Sequence, residues 1–235
     1  KRLSLKAAGL YGAAFRIVII AMMIDRVFVN LLLPNLSSLW SIDRVMATKR
    51  IEAVFRLVAA GGALIAMITA IGAEQIIQIL YGAQYAESVI LLQILSILIA
   101  ATFINSLFSF GLIATNRDKE YFLATCFGGT ISAILIFSFA AFGDSLKVAI
   151  SVSAAEVIIT LFTYFWFRKV VPLNYLKPLL ICYPVAILLF FVFTMSPLMP
   201  LLNALIASII FVAVTIKFGI FSREQYDWAM EKISG

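Results

Sequence analysis

From Pro178 to Ile216 the chain reads PLLICYPVAILLFFVFTMSPLMPLLNALIASIIFVAVTI, 39 residues without a charged side chain. As one α-helix this stretch would be about 58 Å long, against about 30 Å of hydrocarbon in a bilayer. Ser196-Pro197-Leu198-Met199-Pro200 falls at its middle, and two prolines so placed stop a helix and close a turn. The stretch therefore reads as two membrane-crossing helices joined tightly.

The preceding sequence repeats the pattern. Gly9 to Leu33, Ile51 to Ala73, Ser88 to Asn116, Tyr121 to Phe142 and Leu146 to Phe167 are each long and apolar enough to cross a bilayer, which brings the total to seven. The composition of the 235 residues agrees, with 63% apolar and 13% charged, where soluble domains run at about 45–50% and 25%. The expected fold class is all-α, a polytopic transmembrane helical bundle of about seven spans. Five helices fall in 1–170, and an additional helix pair with a tail falls in 171–235. The sequence contains no His, which excludes His-based acid/base chemistry and His-ligated metals. No phosphate-cradling glycine loop, nucleophile elbow or metal-binding cluster stands in it. The chain is accordingly not expected to be an enzyme or to need a cofactor. Cys126 and Cys182 sit in apolar runs and read as core residues.

Basic residues orient the spans. Arg44, Lys49, Arg50, Arg56, Arg117, Lys119, Arg168, Lys169, Lys177, Lys217, Arg223 and Lys232 fall on one side and, the N-terminus apart, Lys147 alone falls on the other. The first side, with the C-terminus, is expected to be cytoplasmic. Lys1, Arg2 and Lys6 then lie outside, against the rule, and this conflict is read as the mark of a fragment whose preceding helix set the orientation. Between Asn35 and Arg50, residues Leu36, Leu39, Trp40, Val45 and Met46 recur near helical spacing. They suggest a short interfacial helix with Trp40 at headgroup depth, or an ordinary loop with one anchoring Trp.

Charges within the spans are the informative ones, because each costs about 2.5–3.5 kcal/mol unless paired or wetted. There are four: Arg16, Asp25, Arg26 and Glu156. Arg16 and Arg26, ten positions apart, differ by about 80° around a helix, whereas Asp25 lies roughly opposite Arg16. Gly9 and Gly12 leave room beside Arg16 for a helix or a ligand. The two arginines read either as a cationic stripe on a water-filled cavity that receives an anion, or as anchors snorkelling to headgroups. Asp25 and Glu156 are candidates for ion coupling. Glu156 reads equally well as a neutral carboxyl bonded to a neighbouring helix. The uncharged polar residues, from Gln93 to Ser109 and from Thr125 to Ser138, read as stitches between helices, and Gly61-Gly62 and Gly128-Gly129 as points of close packing.

Several segments carry a resemblance. These are Gly9-Leu10-Tyr11-Gly12-Ala13-Ala14-Phe15-Arg16, Leu33-Pro34-Asn35-Leu36-Ser37, Ile79-Leu80-Tyr81-Gly82-Ala83-Gln84-Tyr85, Leu92-Gln93-Ile94-Leu95 and Leu112-Ile113-Ala114-Thr115-Asn116-Arg117-Asp118-Lys119. In this order, over about residues 9 to 170, the chain resembles the Wzx-type O-antigen and exopolysaccharide flippases of the multidrug/oligosaccharidyl-lipid/polysaccharide exporter superfamily. The resemblance implies the second lobe of a two-lobe transporter, entered at roughly the eighth helix. That helix would place Arg16 and Arg26 beside a central cavity, to attract the pyrophosphate of an undecaprenyl-pyrophosphate-linked oligosaccharide. It further implies alternating-access export across the bacterial inner membrane in lipopolysaccharide or exopolysaccharide synthesis. Na⁺ or H⁺ would be the coupling ion, and polysaccharide assembly proteins the partners. Asp25 beside Arg26 matches no family pattern. A multidrug or cation antiporter of the same superfamily is the alternative, and a membrane glycan polymerase a more distant one.

Overall fold

The computed structural model describes residues 5–140, 144–172 and 176–220, without the side chains of 28–34, 140 and 176. The described residues form eight α-helices and one short 3-10 turn, with no strand among them: α1 (Leu5–Ile42), α2 (Arg44–Ile71), α3 (Ala73–Tyr81), the 3-10 turn (Ala83–Tyr85), α4 (Ser88–Ala114), α5 (Asp118–Ala140), α6 (Ser145–Val170), α7 (Leu176–Thr194) and α8 (Pro200–Lys217). Seven of these, all but α3, are long and apolar enough to span a bilayer. The protein is a multi-pass membrane protein built as a helical bundle.

The boundaries follow from local chemistry. The Asp43 carboxylate accepts hydrogen bonds from the Val45 and Met46 amides and starts α2, while Asp144 accepts from the Leu146 amide and starts α6, both as N-caps. Pro200 occupies the first turn of α8, where its missing N–H costs nothing. At the end of α4, Asn116 takes a positive φ of 59°. The Asn116 amide then donates to Ile113 O (3.0 Å), and the Arg117 amide to Leu112 O (2.8 Å). These are the two bonds of a Schellman turn, and Gly219 (φ 68°) repeats it after α8.

The bundle is organised around α4, which is charge-free over 27 residues and packs against α1, α2 and α6. Phe108 of α4 stands in its core with Phe55 of α2, Tyr164 and Phe167 at centroid distances of 5.8, 5.6 and 5.5 Å. Gly111 makes room for the Phe167 ring, and Gly62 lets α2 approach Phe103. A second core joins α2 to α7 and α8 through Ala63, Met67, Cys182, Ala207 and Phe211, so the 171–235 pair is attached through α2. α5 packs on α6 and turns Phe122, Phe127, Ile134 and Phe137 outward, as a lipid-facing helix does. The starts of α1 and α4 share one end of the bundle, where Lys6 Nζ and Glu87 Oε1 pair at 2.6 Å. Just past the end of α8, Gly219 O accepts from Arg56, twelve residues into α2 (3.3 Å).

Several expectations are corrected. The helix of the first span does not stop at Leu33-Pro34 but runs on to Ile42, and no separate interfacial helix lies between 35 and 50. The apolar spacing there is cut at Asp43, whose extended backbone (φ −141°, ψ 98°) caps α2. Leu36, Leu39 and Trp40 thus belong to α1, and Val45 and Met46 to the first turn of α2. The connection from Ala73 to Glu87 carries α3, which buries Ala73 and Ile77. Of the two cysteines only Cys182 is in the core, while Cys126 is exposed on α5. Of each glycine pair only one packs closely: Gly62 on Phe103 and Gly128 on Ile159, with nothing within 4 Å of a Cβ at Gly61 or Gly129. Lys1, Arg2, Phe142, Arg223 and Lys232 lie outside the described residues.

Candidate functional site

The junction of α1, α4 and α6 gathers the polar groups of the bundle. Asp25 lies 20 residues after the start of α1 and Glu156 11 after the start of α6, about 30 and 16 Å along their axes. Glu156 is therefore near the middle of its span, and Asp25 lies toward the far end of the Leu5–Val27 span. The two adjacent α4 residues divide these carboxyls between them. Ser106 Oγ donates to Asp25 Oδ2 at 2.5 Å, and Asn105 Nδ2 donates to Glu156 Oε1 at 3.0 Å. Consecutive helix residues point about 100° apart, so one step of α4 suffices to reach α1 on one side and α6 on the other.

Further hydroxyls hold Asn105. The Thr163 hydroxyl lies 2.8 Å and the Ser109 hydroxyl 3.3 Å from Asn105 Oδ1, so the amide presents its NH₂ to Glu156. Thr102, one turn earlier on α4, stands beside Glu156 with its hydroxyl buried. Asp25 is 1% exposed, and its second oxygen, Oδ1, is buried with no partner at all. The charged groups that act on Asp25 electrostatically are Arg26, its neighbour, and Glu156 across the junction. An ionised carboxylate in such surroundings is costly unless its charge is balanced.

Arg16 and Arg26 are not part of this junction. Both are exposed, on the opposite face of α1. They continue a stripe with Ile19, Ile20, Met23 and Val27, all exposed as well. Gly9 and Gly12 open the same face toward the helix start, with nothing within 4 Å of a Cβ at either. The four charges of the spans therefore separate: two guanidinium groups on the open face of α1, two carboxyls turned into the bundle. The split between Arg16 and Asp25 follows from their angular separation. The assembly of Asp25 with Glu156 does not, because it depends on how α1 and α6 pack on α4. The partner residues, Asn105 and Ser106, left one signal in the sequence: they are the one adjacent pair among the polar side chains of a charge-free span.

The polar residues of α5 act locally. Thr130 donates to Cys126 O and Ser132 to Gly128 O within their own helix. On α4, by contrast, stitching extends beyond the junction. Gln93 reaches Ala70 O of α2 (3.5 Å), and Ser88 reaches Leu10 O of α1 (2.9 Å).

No protein-family model, curated protein or solved structure matches the chain.

Proposed function

We propose that the chain is a lobe of a membrane carrier that moves an undecaprenyl-pyrophosphate-linked oligosaccharide across a bacterial inner membrane by alternating access. The observation that carries this reading is the open stripe on α1, from Gly9 and Gly12 through Arg16, Ile19, Ile20 and Met23 to Arg26. A lipid-linked pyrophosphate needs cationic stations along an otherwise apolar path. Guanidinium forks match phosphate oxygens in pairs, and the ten residues from Arg16 to Arg26 set two such stations about 15 Å apart along the helix. The apolar side chains between them suit a polyprenyl chain, and the glycines admit a headgroup close to the backbone. The order of sequence segments that resembles the Wzx-type flippases supports the same substrate. Two lobes rocking about this face would expose the stripe to one side of the membrane and then to the other.

In cells, Arg16→Ala in the full-length protein abolishes surface polysaccharide at an unchanged level of the protein in the membrane, and Arg16→Lys retains part of it. Unchanged polysaccharide with Arg16→Ala removes this residue from the mechanism. The carboxyl pair inside the bundle favours a second reading, a multidrug or cation antiporter whose substrate is positively charged. Efflux of cationic dyes that depends on Asp25 and not on Arg16 would establish that reading instead.

A further inference from the structure

We infer that Asp25 and Glu156, bridged through Ser106 and Asn105 of α4, bind one exchangeable proton inside the bundle, where α1, α4 and α6 meet. Three observations carry this. The first is the orphaned oxygen: Asp25 is 1% exposed, its Oδ2 accepts from Ser106, and its Oδ1 is buried without a partner. A proton that forms an O–H bond at Oδ1 leaves the Ser106 bond in place and balances the carboxylate where nothing else does. On release it returns to water as the carboxylate re-forms.

The second observation is the charge count. Asp25 is faced by Arg26 on its own helix and by Glu156 on α6. The α4 groups at the junction, Thr102, Asn105 and Ser106, are neutral. Among the described residues, α2 and α3, which also pack on α1, bring no charge to bear on Asp25. The Arg26 side chain stands on the open face of α1, so inside the junction two carboxyls meet without a cation, and a proton on Asp25 removes their repulsion.

The third is the polarity of the bridge. Asn105 turns its NH₂ toward Glu156 and keeps its oxygen for Thr163 and Ser109, and Ser106 meets Asp25 with its O–H. The carboxyls are thus met by hydrogen-bond donors, whereas a metal cation needs several oxygen lone pairs. Access is unequal as well. Glu156 is half-buried and Asp25 fully so, which makes Asp25 the group that keeps the proton. Exchange at Asp25 requires α1 to part from α4, and this ties the proton to a movement of the helix that carries the arginine stripe.

The test is infrared difference spectroscopy of the full-length protein in lipid nanodiscs, titrated with acid and read at the C=O stretch of protonated carboxyl groups. The wild-type band exceeds that of the double Asp25→Asn, Glu156→Gln variant by the equivalent of one carboxyl, and each single substitution alters this difference. Ser106→Ala, which retains both carboxyls, keeps the band but shifts its frequency through loss of the hydrogen bond. Exchange of Na⁺ for choline at constant pH leaves it unchanged. A band untouched by all three substitutions, no band in the wild type, or displacement of the band by Na⁺ overturns the proposal, the last by assigning the site to a metal cation. No transported substrate enters this measurement, so its outcome and that of the oligosaccharide reading are independent.

Discussion

Removal of the Ser106 hydroxyl destabilises the bundle by about 1.5–2 kcal/mol on the following reasoning. Interhelical hydrogen bonds in membranes average about 0.6 kcal/mol in double-mutant cycles, whereas a buried polar group left without its partner costs about 1–3 kcal/mol in proteins. The Ser106–Asp25 bond belongs toward the upper figure. Its acceptor is a carboxyl that is 1% exposed, and the other carboxyl oxygen has no partner. Ser106→Ala therefore leaves both oxygens unpartnered and removes too little volume for a cavity to matter. A cycle of Ser106→Ala, Asp25→Ala and the double variant isolates the pair, with an expected coupling of about 1–1.5 kcal/mol between the two generic values. The assay is reversible unfolding of the full-length protein in mixed dodecyl sulfate micelles, followed by circular dichroism. Effects that add within about 0.3–0.5 kcal/mol, the tolerance for independent sites, would refute the claim that α1 is clasped to α4 through this contact.

Other consequences follow from the same structure. Asn105→Asp places a third carboxyl at the junction beside Glu156 and lowers the unfolding midpoint; adding Glu156→Gln recovers most of the loss, and failure to recover it means that charge is not the cause. A Cβ at Gly111 would meet Phe167 Cε2 at 2.5 Å, so Gly111→Ala costs about 1–3 kcal/mol. Phe167→Leu in the same chain relieves part of that cost in the unfolding assay. Gly62→Ala finds no such relief from Phe103→Leu, since the clash is with Phe103 Cβ at 2.7 Å, whereas Gly129→Ala, with nothing within 4 Å, is neutral or stabilising through helix propensity. With Cys126 and Cys182 replaced, a single cysteine at Gln84 reacts with an impermeant maleimide from outside intact cells and one at Asn116 does not. The reverse pattern would invert the orientation drawn from the basic residues.

The spans were legible because the signal for crossing a bilayer is long and local: about twenty apolar residues, read without reference to any other part of the chain. The turn at Ser196–Pro200 shows this best, since the two prolines mark the break and α7 and α8 end and begin on either side of it. The stretch from Asn35 to Arg50 was legible only in part. Its apolar periodicity is real, but one side chain, Asp43, divides it between two helices, and the competition between capping and helix continuation is settled by backbone geometry that spacing does not encode. α3 escaped notice because nine residues are too few to register as a span and its apolar face is narrow.

At the candidate site the same divide recurs. That Arg16 and Asp25 point apart is helix geometry within one element. That Asp25 shares a junction with Glu156, 131 positions later in the sequence, is tertiary packing, and neither composition nor periodicity carries it. Cys126 illustrates the converse error: in a membrane protein an apolar run is as often turned to lipid as to the core, so apolar surroundings do not specify burial.

The most direct measurement of the central claim is translocation of a fluorescent undecaprenyl-pyrophosphate-linked oligosaccharide across proteoliposomes that contain the full-length protein. Arg16→Ala with Arg26→Ala reduces the initial rate by at least about tenfold, a loss of about 1.4 kcal/mol, while Ile20→Ala on the same face changes it little. A rate unaltered by the loss of both arginines would contradict the assignment of the α1 stripe as the path of the anionic headgroup.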